Sequence, residues 1–356
     1  MAVAGCGNHT ALITDRDGST VTPAQTLTEV EWTRALDDTS TARILIWPDG
    51  NCIERIGQVR AWRHRLNIWR GSDPVWSGLI LQAEWKFGQL EVWAGDLLSV
   101  LDRRVPHADI VFGDTDLMNV AEWLITDGFE PDDPGHSIDV VGKTGVRGGR
   151  EYQRNIGQTG DHLRDLAENG LDFTVVGSRF LLLPETYPVT VGRLTDSDLP
   201  EGLTVSEDGT ALATRWIVAG KEGEEADIIG DAGGADTYYG LVEKYVEQTT
   251  ITTVLAARSA AASRLRASLP VPVIVDTQEV SISPDAAVEI PTLVPGWCLD
   301  VTTQVTARPL SQRLKITGVK VTETGGTEST PGSESVAVQV AVTGAESATS
   351  SILEVE

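Results

Sequence analysis

The sequence predicts a mainly β protein with an inserted α+β module and a second β unit toward the C-terminus. Three observations carry this. Residues 59–95 alternate apolar and polar side chains through three runs separated by turn residues, the period-two signature of an antiparallel meander. Helical periodicity is confined to three stretches, near residues 116–128, 160–170 and 251–269. After the last of these, short apolar runs broken by turn residues recur to about residue 342.

The chain has 356 residues, 41% hydrophobic and 22% charged, which suggests two or three globular domains with ample material for cores. Residues 1–23 read as an N-terminal extension without the basic lead and apolar run of a secretory signal. Residues 24–108 form the first β unit, a small barrel or sandwich. Val30 and Trp32 mark its first strand, Ala42, Ile44 and Ile46 its second, with Leu-Asp-Asp-Thr-Ser (36–40) as the turn. Next, Trp62, His64, Leu66 and Ile68 share one face of a strand, and Arg63, Arg65 and Asn67 the other. Gly71–Pro74 is a turn. Beyond it Val75, Ser77, Leu79, Leu81, Ala83, Trp85 and Phe87 alternate with Trp76, Gly78, Ile80, Gln82, Glu84 and Lys86. A last run, Leu90 to Ala94, follows the break at Gly88.

Residues 109–200 form the α+β insertion module. Leu117, Val120, Ala121 and Leu124 are helically spaced, with Asp116 as N-cap and Gly128 as the stop. Leu163, Leu166 and Ala167 mark a second helix ending at Gly170. Leu171–Val176 and Arg179–Leu183 flank Gly177-Ser178, a hairpin signal. The Gly-rich, basic stretch 141–160 between the helices reads as a mobile loop. Residues 201–250 hold return strands and a Gly-rich loop. Residues 251–345 hold an Ala-rich helix, with Val254, Ala257, Ala261, Leu265 and Leu269 as its stripe, and the second β unit. Residues 346–356 read as a mobile tail.

Five of the ten Trp fall within residues 59–95, together with a cluster of Arg that includes Arg55 just before it. Sheet Trp residues serve first as core and cross-strand pairs. Trp and Arg are also enriched at the centres of protein contacts. Arg60, Arg63, Arg65, Trp69, Arg70, Trp76 and Trp93 are therefore the candidate subunit interface.

Signals for chemistry are weak. The net charge of −24 argues against specific nucleic-acid binding, which needs a basic face. No run of eighteen apolar residues exists to span a membrane as a helix. Gly142-Lys143-Thr144 matches the tail of a phosphate loop, but Ser137 stands where a Gly is required and a Gly-rich stretch follows where a helix should begin. The five His lack metal-ligand spacing, and Cys6, Cys52 and Cys298 are too scattered for a disulfide framework or a zinc site. The pairs Asp132/Asp133 and Asp196/Asp198 sit in turn-rich segments with nothing to position them. No catalytic, metal or cofactor residue is assigned, no cofactor is expected, and the chain reads as an assembly protein rather than an enzyme.

The order of several stretches resembles the tail-tip hub proteins, or minor tail proteins, of long-tailed phages infecting actinobacteria. Glu29–Ile44 precedes a Cys-containing loop; Leu66–Ile80 leads to Ala94–Arg104; Leu163–Leu182 and Thr237–Ile251 follow, then Leu293–Val301. The resemblance covers roughly residues 24–345. It implies two tube-type β-barrels carrying inserted modules, three copies closing into a homotrimeric ring, and docking on the distal tail protein or tail-tube ring. Other tail-tip or fibre proteins and the tape measure protein are implied neighbours, DNA passing through without specific binding, and the location is the virion tail tip. Hubs with a long C-terminal extension carry a fibre, spike or peptidase there, which is not expected here. The acidity would line a channel that repels DNA, or would only keep the protein soluble. Two alternatives stand: a carbohydrate-binding adhesin and a cell-wall hydrolase.

Overall fold

A computed structural model describes residues 8–24, 27–47, 56–199, 205–207, 209–221, 228–268, 273–275, 282–283, 286, 288–304, 310–325 and 332–342. Arg55, Cys6, Cys52, Leu269 and the 346–356 tail lie outside them.

Seven strands come first: β1 His9–Thr14, β2 Thr20–Ala24, β3 Leu27–Ala35, β4 Thr41–Ile46, β5 Arg65–Arg70, β6 Asp73–Lys86 and β7 Gln89–Gly95. A short helix, α1 (Leu98–Leu101), leads into the insert: β8 Ile110–Asp116, α2 Leu117–Phe129, β9 Ser137–Val140, β10 Arg147–Tyr152, α3 Thr159–Ala167, β11 Leu171–Val176 and β12 Arg179–Pro184. Then come β13 Thr190–Thr195, β14 Val205–Glu207, β15 Arg215–Ala219, β16 Ile229–Gly233, β17 Glu243–Glu247 and α4 Val254–Ser268. The chain returns through β18 Val273–Val275, β19 Cys298–Thr303, β20 Leu310–Thr324 and β21 Ser333–Val342.

The two predicted β units are present but not separate. One eleven-stranded sheet runs β13-β19-β20-β3-β4-β7-β6-β5-β1-β2, with β21 also on β20. The long strand β20 joins the halves: residues 310–315 pair with β19, and 318–324 pair with β3. One core follows, from Ile13, Trp32 and Ile44 through Leu299, Ile316 and Val338. Two boundaries move accordingly. Residues 9–24 are a hairpin beside β5, not an extension, and β13 belongs to the sheet rather than to the insert.

Inside the meander the strands form where predicted, but β6 does not alternate throughout. Ile68 opposes Trp76 and Trp69 opposes Pro74, leaving Val75 as an extra residue; Ile80 opposes Ala94 and Gln82 opposes Trp93, leaving Leu81 extra. Each bulge shifts the inward phase by one. Val75 and Trp76 are consecutively buried, Gly78 and Ile80 continue that face, and beyond Leu81 the inward set becomes Ala83 and Trp85, opposite Val92 and Leu90. Trp62 is not in a strand: it sits in a turn at φ 61°, and β5 begins at Arg65.

The insert has its own core, in which α2 and α3 pack on β11 and β12 around Phe129, Phe173 and Phe180. Asp116 caps α2 as expected, accepting from the Met118 amide at 3.1 Å. Helix α2 runs one residue past Gly128, and a Cβ there would stand 2.8 Å from Leu101, so this glycine serves close packing rather than termination. The stretch expected to be a mobile loop contains β10, paired with β8. Its Gly148 lies against Ala256, where a Cβ would come within 2.1 Å. Small residues on both sides let β10 and α4 approach, so α4 buries Ala256, Ala257, Ala260 and Ala261, while Val254, placed in the predicted stripe, is exposed.

Polar networks join the insert to the main sheet. Buried Lys315 of β20 donates to Asp172 of β11 at 2.8 Å. Burial works against the charge of Lys315, yet the facing carboxylates hold its pKa above the ordinary value. Asp37, in the left-handed region at φ 59°, exchanges two hydrogen bonds of 2.8 Å with Phe173. Burial, then the Asp172 charge, pushes the Asp37 carboxyl well above the usual range. Arg164 of α3 reaches Asp102 at 2.7 Å and Asp38 at 2.9 Å.

Candidate assembly surfaces

The seven residues proposed as one interface occupy four settings. Arg60, Arg63 and Arg65 lie at or before the start of β5. Arg60 is exposed and donates to the carbonyls of Gly57 and Val59, both at 2.7 Å. Arg63 forks onto Asp15 at 3.0 and 2.7 Å, and this hydrogen bonding, then the Arg16 amide, lowers the Asp15 pKa to about 2. Arg65 is half-buried and donates to the Pro134 carbonyl at 2.8 Å, linking the sheet to the insert. Arg70 stands at the other end of β5, roughly 17 Å from Arg65 at a strand's rise. It forks onto Glu334 of β21 at 2.7 and 2.8 Å.

Trp69 and Trp93 are half-buried; Trp93 lies on the outer face, opposite Arg43 of β4. Trp76 is a correction. It is 4% exposed, turned into the core by the Val75 bulge, and no part of an outward surface.

Sequence reasoning missed a sharper feature at the β6–β7 turn. Phe87 is fully exposed there, and Trp85 and Trp47 are 50% and 52% exposed. Gly88, at φ 76°, makes the turn; a Cβ on it would lie 3.5 Å from the Trp47 ring, so the three aromatics form one tip. The Trp85 indole donates to the Ile56 carbonyl at 3.1 Å, which fixes its orientation. The signal was available: a Phe beside a tight turn is a poor choice for solvent alone. A second exposed set, Tyr238, Leu241 and Tyr245, lies on and before β17.

One grouping among the described residues has metal-ligand composition: His9, Glu323 and Glu334, with donor atoms within 4.8 Å of one another. Its hydrogen bonds favour another use. The Trp32 indole donates to His9 Nε2 at 3.0 Å, so Nδ1 carries the proton and donates to Glu323. Glu323 also accepts the Asn8 and His9 amides, and Glu334 takes Arg70. The cluster fastens β1 and β5 to β20 and β21 across a seam where the described residues show no strand pairing. The Gly142–Gly145 loop is likewise structural, its Thr144 and Gly145 amides bonded to Asp116.

Neither a protein-family profile nor a curated protein matches the sequence. Solved structures do. The 43 kDa tail protein of prophage MuSo2 from Shewanella oneidensis aligns at 13% identity and a TM-score of 0.60, over 94% of this chain and 98% of that one. A tail protein from Neisseria meningitidis aligns at 11% identity and 0.62, over 95% and 97%. Prophage tail protein gp18 from Listeria monocytogenes aligns at 10% and 0.59, over 92% and 94%. At these identities the likeness is one of fold: the chain is mainly β with a few helices, and its fold resembles those of these three tail proteins over 92–95% of its length.

Proposed function

We propose that the protein is a structural, non-enzymatic component of a phage tail tip, a hub subunit of which three copies close a ring at the distal end of the tail tube around the DNA exit channel. The observation that carries this reading is the reach of the fold match: more than nine-tenths of this chain and of each tail protein align, so the insert and the small sheet β16-β15-β17, on which α4 packs, are included along with the main sheet. Exposed aromatics at the β6–β7 tip and near β17 are two different apolar surfaces, which a head-to-tail ring contact requires. The neighbours in this reading are a second copy, the distal tail or tube ring, the tape measure protein and fibre proteins. A net charge of −24 suits a channel from which DNA must slide freely.

Negative-stain electron microscopy with class averaging tests it, on the protein alone and with tail tubes. Rings of three-fold symmetry with an open centre are expected. Particles that stay monomeric even with tubes present would overturn the ring. The exposed Trp47 and Trp85 favour one second reading, an adhesin that stacks on wall sugars; binding of host wall glycan, lost on replacing both, would establish it.

A further inference from the structure

A cleft of about 250 Å³ lies between the main sheet and the insert. Its floor is apolar, from Leu79, Leu97 and Val100. Its polar lining holds four arginines against two aspartates, within a chain that is otherwise strongly acidic.

The partners of those charges decide what the cleft lacks. Arg16 and Arg104 both bind Asp132, at 2.5 and 3.3 Å. Asp133 accepts the Gly135 and His136 amides and the His136 ring. Both carboxylates are therefore occupied. Arg65 and Arg103 have no carboxylate within ion-pair distance among the described residues. Arg65 uses Nη1 on the Pro134 carbonyl, while its buried Nη2 has no acceptor among the described residues. Arg103 lies over the Trp62 ring at 5.2 Å. Trp62 is itself held in left-handed backbone, costly for an aromatic residue, by its amide bond to the Ile80 carbonyl at 2.7 Å. The turn thus keeps an exposed ring and a stacked guanidinium at the mouth of an apolar, cationic cleft.

We propose that this cleft seats one acidic side chain and an adjoining apolar one from a peptide segment of a neighbouring protein. The carboxylate would take Arg65 Nη2 and Arg103, and the apolar side chain would cover Leu79 and Val100. A single negative charge fits better than a phosphate, because Asp132 and Asp133 repel a second one and the net charge repels polyanions. A side chain fits better than a whole small-molecule ligand, whose sites usually exceed about 300 Å³. That the neighbour is a tail protein rests on the function proposed above; the chemistry of the cleft does not.

The test is isothermal titration of the full-length protein with a blocked hexapeptide containing Leu-Glu-Leu, and with its Leu-Gln-Leu counterpart. Saturable binding of the Glu peptide below about 1 mM is expected, at least about tenfold weaker for the Gln peptide and for Arg103→Gln. Among the described residues the Arg103 side chain makes only the stacking contact, so this variant is expected to keep its fold and melting temperature. Arg65→Gln should weaken binding likewise. Equal affinity for both peptides, no effect of Arg103→Gln, or no heat from the Glu peptide would overturn the proposal. N-acetyl-leucine or inorganic phosphate binding as tightly as the peptide would overturn the peptide assignment. Three-fold rings alongside absent peptide binding would remove this site and leave the hub reading standing; peptide binding without rings would do the reverse.

Discussion

At one end of β6, Trp76 is 4% exposed and packed beside Val75 in the shared core; at the other, Trp85 is half exposed beside Phe87 at a hairpin tip. Both occupy the same strand, and both point to the inner side of the sheet where they stand. The bulges at Val75 and Leu81 set that phase. What separates them is their surroundings: Trp76 lies within the shared core, while Trp85, beside the hairpin turn, reaches the Ile56 carbonyl and keeps half its surface open. Inward direction is therefore not burial. The tip keeps aromatic surface that the chain itself only partly covers, and such surface marks contacts with other molecules.

The comparison can be broken most forcefully at its buried end. Trp76→Ala should lower unfolding free energy by about 3–5 kcal/mol in denaturant titrations, against about 1 kcal/mol or less for Trp85→Ala. Equal costs would mean that the tip is part of the core. Removing the ammonium with Lys315→Ala should likewise cost about 3–5 kcal/mol, because Asp172 is left buried and unpaired. The double change Lys315→Met with Asp172→Leu should recover most of it; failure to recover would show that the joint depends on its charges.

A buried carboxylate gives the next effect. Asp96 lies under the Ser40 and Leu98 amides, and burial raises its pKa from 3.8 to about 7. Its folded pKa is above the unfolded one, so the folded state holds an extra proton between them. Its contribution is complete below about pH 4 and is lost as pH rises through about 7, a few kcal/mol at most. Thermal melts across that window should show the fall, and Asp96→Asn should flatten it; an unchanged slope in the variant would assign the pH dependence elsewhere.

Surface changes should move stability least and association most. Trp85→Ser with Phe87→Ser should leave the melt within a few degrees and abolish ring formation, read by class averages or sedimentation velocity. Rings of normal yield would exclude the tip from the contact. Arg63→Glu replaces a forked pair with Asp15 by a like charge beside it, so a small fall in melting temperature is expected, well short of unfolding. Its effect on ring yield then tests the arginine cluster free of the packing role that Arg65 carries.

Much of the fold is legible in the sequence alone. The meander, the capped helix after Asp116, the Gly177 hairpin and the Ala-rich helix depend on contacts within a few residues, which periodicity and turn chemistry report. The candidate interface residues are less legible. Trp76 was misplaced because one extra residue inverts a strand's phase, and no local signal marks Val75 as that residue. Arg63 and Arg70 find Asp15 and Glu334 across the fold, so a cluster along the chain became separate ion pairs. The glycines at 148 and 149 looked like a mobile loop because flexibility and close packing call for the same residue.

What the sequence determined by itself is the kind and order of the elements, since each answers to its own turns, caps and apolar period. Only the tertiary structure decided that the β units share β20 and one core, which tryptophans are covered, and which arginines are left facing a cleft. Those outcomes depend on residues hundreds of positions apart, such as Arg70 and Glu334 or Thr33 and Lys320, and a local pattern carries no record of which distant strand will lie beside it.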